Sequence, residues 1–147
     1  MSNFTFGKRS LEKLETAHVD LQIIMQESLK NSMVDFGISE GHRSLERQQK
    51  LFKEGKSRID GFNKKGKHNY DPSLAVDIYA YVQGRKDLAF DKIHLAYLGG
   101  HIMATANALY EEGVVENPLR WGGNWDGDGT LLFDQKLWDM PHFELML

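Results

Sequence analysis

The sequence predicts an α+β fold, a small antiparallel sheet flanked by helices. Three observations lead there. Apolar residues recur at helical spacing near the N-terminus and again around residue 100. Two other stretches alternate apolar and polar residues with the period of a strand. Helices lead and follow these strands without a regular strand–helix–strand rhythm, which argues against a parallel α/β sheet.

Taken in order, Ser10 to about Lys30 reads as helix, with Leu11, Leu14, Leu21, Ile24, Met25 and Leu29 at helical spacing and Ser10 as the expected N-cap. His18 and Asp20 mark a break between a short and a longer helix. Val34, Phe36 and Ile38 alternate with Asp35 and Gly37, the pattern of a short strand. Ser44 opens a polar helix that runs to Glu54 and is closed by Gly55. Residues 56–69 are basic, glycine-containing and poor in apolar side chains, and read as a loop. From Leu74 to Val82 the alternation is clean: Leu74, Val76, Ile78, Ala80 and Val82 on one face, Ala75, Asp77, Tyr79 and Tyr81 on the other. A long helix spans about Asp91 to Glu112 and stops at Gly113. Its Gly99-Gly100 pair costs about 1 kcal/mol per glycine against alanine, a cost that close helix–sheet packing would justify. Arg120 to Leu147 reads as a glycine- and aspartate-rich loop followed by a strand, with His142, Glu144 and Met146 on one face and Phe143, Leu145 and Leu147 on the other.

The 147 residues suit one domain, 1–147, and 41% hydrophobic residues are enough for a core. A net charge of −3 provides no basic field for nucleic acid or an anionic membrane surface. The absence of cysteine removes disulfides, thiol nucleophiles and cysteine-based metal sites, leaving His, Asp and Glu as metal ligands. No stretch approaches the ~20 apolar residues of a membrane span, and the N-terminus lacks the apolar run of a secretory signal. A soluble product of the cytoplasm is therefore expected, with no repeat and no second module; a monomer is also expected, although no feature of the sequence specifies it.

Two segments carry the chemistry. The first runs from Lys67-His68-Asn69-Tyr70-Asp71-Pro72 to Asp77, and the second is Trp138-Asp139-Met140-Pro141-His142-Phe143-Glu144-Leu145. Two imidazoles and a carboxylate form a tripod that binds Zn²⁺ and leaves a position for water. Asp77 lies in an otherwise apolar strand, where a bare carboxylate costs several kcal/mol unless paired or metal-bound. Adjacent antiparallel strands would put Asp77 and His142 on one sheet face, with His68 arriving from the loop. Asp139, three residues before His142, is placed for a turn to present a carboxylate beside the metal without ligating it; capping of the Met140-Pro141 turn is the alternative. On residue type alone, Arg43 reads as a surface ion-pair partner.

His68 followed by an Asp, with Asp139-x-x-His142 far downstream, resembles the zinc peptidases that include D-Ala-D-Ala carboxypeptidases, vancomycin-resistance dipeptidases and the hedgehog-type fold. The blocks Asp35–Gln49 and Arg120-Trp121-Gly122-Gly123-Asn124-Trp125, with Asp134 and Asp139–Leu145, are more specific. They resemble phage endolysins that are L-alanyl-D-glutamate peptidases, over about Phe6 to Leu147. The resemblance implies a hedgehog/DD-peptidase-like fold, with zinc on His68, Asp77 and His142. It also implies Asp139 as the general base, Arg43 as a group that stabilises the oxyanion or holds a substrate carboxylate, and the peptidoglycan stem peptide as substrate. Such a protein is made in the host cytoplasm and acts in the periplasm or wall after another protein permeabilises the membrane. One departure stands out. The family usually has six residues between the first His and the Asp, whereas here there are eight, Asn69 to Val76. Ala75-Val76-Asp77-Ile78 matches the family strand, yet Asp71 competes as the carboxylate ligand. The serine often found just before the His is also missing; Gly66-Lys67 stands there.

A second metal site is suggested by Asn124, Asp126 and Asp128 at alternate positions followed by Gly129, the first half of an EF-hand-like calcium loop. Asp134 falls one place short of the usual last acidic ligand. A solvated Asp-Gly turn is the alternative. His94 and His101, seven apart on the long helix, read as structural; His18 and His42 carry no functional signal. Trp121, Trp125 and Trp138 are expected in the core or on a cleft wall.

Overall fold

A computed structural model describes residues 3–130 and 139–147. Asp134 and Trp138 lie outside the described residues. Among the described residues, four helices and a four-stranded sheet follow in the order α1 (Lys8–Leu14), α2 (Val19–Lys30), β1 (Asp35–Glu40), α3 (Leu45–Lys53), β2 (Ala75–Tyr81), α4 (Lys92–Glu111), β3 (Leu119–Trp121) and β4 (His142–Leu145). The strand order is β1-β2-β4-β3, and every pairing is antiparallel. The α+β expectation holds.

The first helical stretch does break before Val19, and His18 makes the break useful. Its Nδ1 accepts the Asp20 N–H and so caps α2. Asp20 in turn is buried, and its Oδ2 accepts the backbone N–H groups of Glu116 and Asn117 and the Asn117 amide, tying α2 to the chain entering β3. Ser10 is not the cap. It lies inside α1, where its hydroxyl accepts the Ile38 N–H at 3.0 Å, because the helix starts nearly a turn earlier, after Gly7. Ser44 caps α3 through the Arg47 N–H, and Asp91 caps α4 through the His94 N–H.

The sheet buries one face. Phe36, Ile38, Val76, Ile78, Ala80, Phe143 and Leu145 pack with Leu21, Ile24 and Met25 of α2 and Leu95, Leu98 and Ile102 of α4. Fully burying a side chain of this size contributes about 1.5–3 kcal/mol, so this layer anchors the strands. The glycine pair of α4 divides its roles. A Cβ on Gly99 would collide with the Trp121 ring, whereas one on Gly100 would meet nothing. Close packing thus explains the first glycine only. His94 bonds Asp91 and His101 bonds the Ser28 carbonyl, both structural roles.

Candidate metal centre

Strand alternation that sends Val76, Ile78 and Phe143 into the core must send Asp77 and His142 to the opposite face. The register pairs these two directly, Asp77 with His142. His68 reaches the same point from a single 3-10 turn, Lys67–Asn69. One donor atom from each of His68, Asp77 and His142 lies within 4.8 Å of the others, close enough to share an ion. Asp77 Oδ1 sits 3.2 Å from His68 Nε2 and 3.0 Å from His142 Nδ1. Asp71, the competing carboxylate, is exposed beside the cis Asp71-Pro72 bond and stands outside this group.

The far nitrogen of each ring is already engaged. His68 Nδ1 lies 2.8 Å from the Gly41 carbonyl, which only accepts, so this nitrogen carries the proton and Nε2 presents its lone pair. His142 Nε2 lies 2.9 Å from Glu144 Oε1, which places the proton there and frees Nδ1. Glu144 is itself held by Arg120 Nη2 at 2.9 Å. These partners were not identified from sequence. A backbone carbonyl such as that of Gly41 leaves no mark in residue type. Glu144 did leave one, since it shares a strand face with His142 two residues away.

The donor set suits zinc: two neutral nitrogens and one carboxylate oxygen, with imidazole protons anchored on the side away from the ion. Without an ion, charge fills the site. Burial raises the Asp77 carboxyl, but hydrogen bonds from His142 and His68 override it and hold the group well below the usual carboxylate range. Burial opposes a charged His142, yet bonds to Asp77 and Glu144 push it up to about 10. Glu144 is lowered to about 2, with burial outweighed by His142 and Arg120.

Asp139 stands beside the group without joining it, 3.9 Å from His142 Nδ1. Its side chain is 44% exposed and faces the cleft. Burial lifts its pKa, the pull of His142 opposes this, and the like charge of Asp77 adds to the rise. The turn that holds it is clasped by Gly122, which donates its N–H to the His142 carbonyl and accepts the Asp139 N–H. A Cβ on Gly122 would collide with the Asp139 carbonyl, so this contact requires glycine.

Arg43 is only 14% exposed and is no surface residue. Its Nε bonds Glu40, its Nη1 bonds Gln48, and Nη2 approaches Asp77 Oδ2 to 3.8 Å. Trp121 is in the core, its indole N–H donating to the Met140 carbonyl. Trp125 lines the cleft, its ring 5.5 Å from His142 and beneath Arg120. The cleft over the group measures about 720 Å³, the scale of a site for a short peptide.

The loop proposed for calcium is locally bonded. Asn124 donates its amide to the Asp128 carbonyl, Asp126 accepts the Asp128 N–H, and Asp128 accepts the Thr130 N–H. Asn124 Oδ1 is buried with no hydrogen-bond partner among the described residues.

Comparison with known proteins adds a family and a fold relative. Residues 1–146 match the family model described as phage L-alanyl-D-glutamate peptidase. The fold is similar to the crystal structure of the L-Ala D-Glu endopeptidase ChiX of Serratia marcescens, with a TM-score of 0.72 and 26% identity over 98% of this chain and 92% of that one. No curated protein matches the sequence significantly. The chain therefore belongs to the phage L-alanyl-D-glutamate peptidase family and is a hydrolase of peptide bonds.

Proposed function

We propose that this peptidase is a zinc-dependent endolysin that cuts the amide between L-Ala and D-Glu in peptidoglycan stem peptides. The observation that carries the reading is the convergence of His68, Asp77 and His142 beside a carboxylate, Asp139, that is not needed as a ligand. Zn²⁺ on those three donors would supply Lewis acidity, acidifying a water and polarising the scissile carbonyl. Asp139 takes the proton from the attacking water and returns it to the departing D-Glu nitrogen. Its raised pKa brings it nearer the operating pH, which suits a group that must both accept and release a proton. Arg43, held by Glu40 and Gln48, offers positive charge where the carbonyl oxygen becomes an anion. Gly41 and Glu144 keep both imidazoles in the ligating tautomer.

Digestion of purified peptidoglycan tests the bond assignment. New D-Glu N-termini are expected. Free D-Ala would instead indicate a D-Ala-D-Ala carboxypeptidase, and no product from zinc-loaded protein would indicate a non-catalytic metal-stabilised module. In this reading the protein is made in the host cytoplasm and reaches the wall once the membrane is permeabilised, acting as a monomer. No helix among the described residues is long and apolar enough to cross a membrane.

Calcium in the loop of Asn124, Asp126 and Asp128 is a second, independent reading. It is favoured by the alternating oxygens and the unpaired Asn124 Oδ1. Calorimetry with Ca²⁺ tests it.

A further inference from the structure

The cleft is electrically lopsided. Among the described residues, eight of the chain's 18 lysines and arginines line it, against four of its 21 aspartates and glutamates. Three of the eight are balanced within the site, Arg43 and Arg47 by Glu40 and Arg120 by Glu144. The other five, Lys56, Arg58, Lys64, Lys65 and Lys67, come from one segment on one wall. Lys56 pairs weakly with Glu54, and Lys65 lies over the Tyr70 ring. Arg58, Lys64 and Lys67 make no ion pair among the described residues. The acid within the segment does not neutralise them: Asp60 is occupied by the N–H groups of Phe62, Asn63 and Lys64 and by the Asn63 amide.

The segment is also fixed to the site. Gln48, 2% exposed, donates to Ser57 Oγ and the Ile59 carbonyl, while its Oε1 accepts from Arg43 and from Asn69, next to His68. A chain of net charge −3 has thus gathered unpaired cations on one wall of its cleft and tied that wall to the candidate metal centre.

We infer that this wall, through Arg58, Lys64 and Lys67, is a carboxylate-binding subsite that receives the leaving-group half of the stem peptide and so sets the direction in which substrate lies. The inference rests on the L-Ala–D-Glu reading. Charge in that substrate is as uneven as in the cleft. On the acyl side, L-Ala is joined through its nitrogen to an uncharged amide. On the amine side, D-Glu continues through its γ-carboxyl, leaving its α-carboxylate free on the carbon bonded to the scissile nitrogen. The first anion beyond the cut therefore falls on the leaving side, where cations can hold it by charge-assisted hydrogen bonds. Reversed substrate would place that carboxylate away from the basic wall.

Two peptides test this: N-acetyl-L-Ala-γ-D-Glu-L-Lys-amide with the D-Glu α-carboxylate free, and the same peptide with it amidated. Zinc-loaded wild type should cut the acid about tenfold more efficiently than the amide, mainly through KM, as expected when charge-assisted contacts are lost. About 0.5 M NaCl should erode that ratio, since Arg58 and Lys64 are exposed and Lys67 is only half-buried. The Arg58→Gln, Lys64→Gln, Lys67→Gln triple variant should bring the ratio near one with the melting temperature unchanged. The wild-type ratio and its salt dependence need no variant, so a poorly folding triple variant does not remove the test. Equal cutting of both peptides by wild type, or a triple variant that keeps the wild-type ratio, overturns the subsite and leaves the endopeptidase reading standing. Failure to cut either peptide overturns both. A triple variant that loses only its activity on whole sacculi assigns the wall to an anionic polymer and also overturns the subsite.

Discussion

The sequence offers metal ligands in two places, and the fold treats them differently. His68, Asp77 and His142 are far apart in the chain, and a 3-10 turn and two paired strands bring them within 4.8 Å. Both rings are held from behind, and the lone pairs face one point. Asn124, Asp126 and Asp128 are neighbours in the chain, and much of their hydrogen-bonding capacity goes to their own turn. The first group is arranged before any ion arrives. The second must exchange hydrogen bonds with its own backbone for bonds to a cation. Sequence spacing alone makes the two look comparable, but preorganisation by distant parts of the fold separates them.

The sharpest way to break this contrast is to remove the carboxylate that the first group does not need. Asp139→Asn should lower kcat by about 10²–10⁴, the usual contribution of a general acid–base. It should leave zinc content unchanged. Loss of zinc would make Asp139 a ligand, and unchanged kcat would remove it as the base.

Support from behind the rings is next in size. Glu144→Gln should weaken zinc binding about 10–100-fold, the effect of losing an outer-shell partner. Competition with a chromogenic chelator reads this directly. Unchanged affinity would mean that the Glu144–His142 bond does not orient the ring.

Proton competition gives a smaller, graded effect. In the metal-free chain His142 is pushed up to about 10, because bonds to Asp77 and Glu144 outweigh burial. A proton on Nδ1 and a zinc ion compete for one lone pair. Zinc affinity should therefore rise with pH by up to about tenfold per unit below that value, one proton being displaced. Stability of the metal-free chain runs the other way. A raised pKa contributes stability that is complete below the unfolded value of 6.5 and is lost as pH climbs toward about 10. Between pH 7 and 9, zinc titrations should tighten while the metal-free melting temperature falls. If both stay level, His142 is not held as described.

The calcium loop should show the smallest effect. Because binding must displace local hydrogen bonds, calorimetry should find Ca²⁺ affinity well below that of zinc at the first group, and Asp126→Asn should weaken it further. Calcium affinity equal to that of zinc would erase the contrast between a prearranged and a self-bonded site.

Much of the centre could be read in advance because strand alternation is a strong constraint. An apolar row at Leu74, Val76 and Ile78 leaves Asp77 facing away from the core, and Phe143 and Leu145 do the same for His142. What escaped the sequence had physical reasons. β3 is three residues long and runs directly into glycines, so it has no period to detect. Ser10 looks like a cap but serves Ile38, a contact that exists only once β1 lies against α1. Arg43 resembles a surface cation until Glu40 and Gln48 fold around it. Gly122 shows only as part of a glycine-rich loop, and its need for glycine comes from the Asp139 carbonyl pressed against it.

Zinc content bears most directly on the claim that three distant side chains form one prearranged site. Wild-type protein, loaded and then dialysed, should retain about one zinc per chain, and His142→Ala treated identically should retain almost none while keeping its far-ultraviolet circular dichroism, since removing one of three donors leaves the ion under-coordinated. A wild type that holds no zinc, or a His142→Ala variant that holds as much as the wild type, would contradict the account.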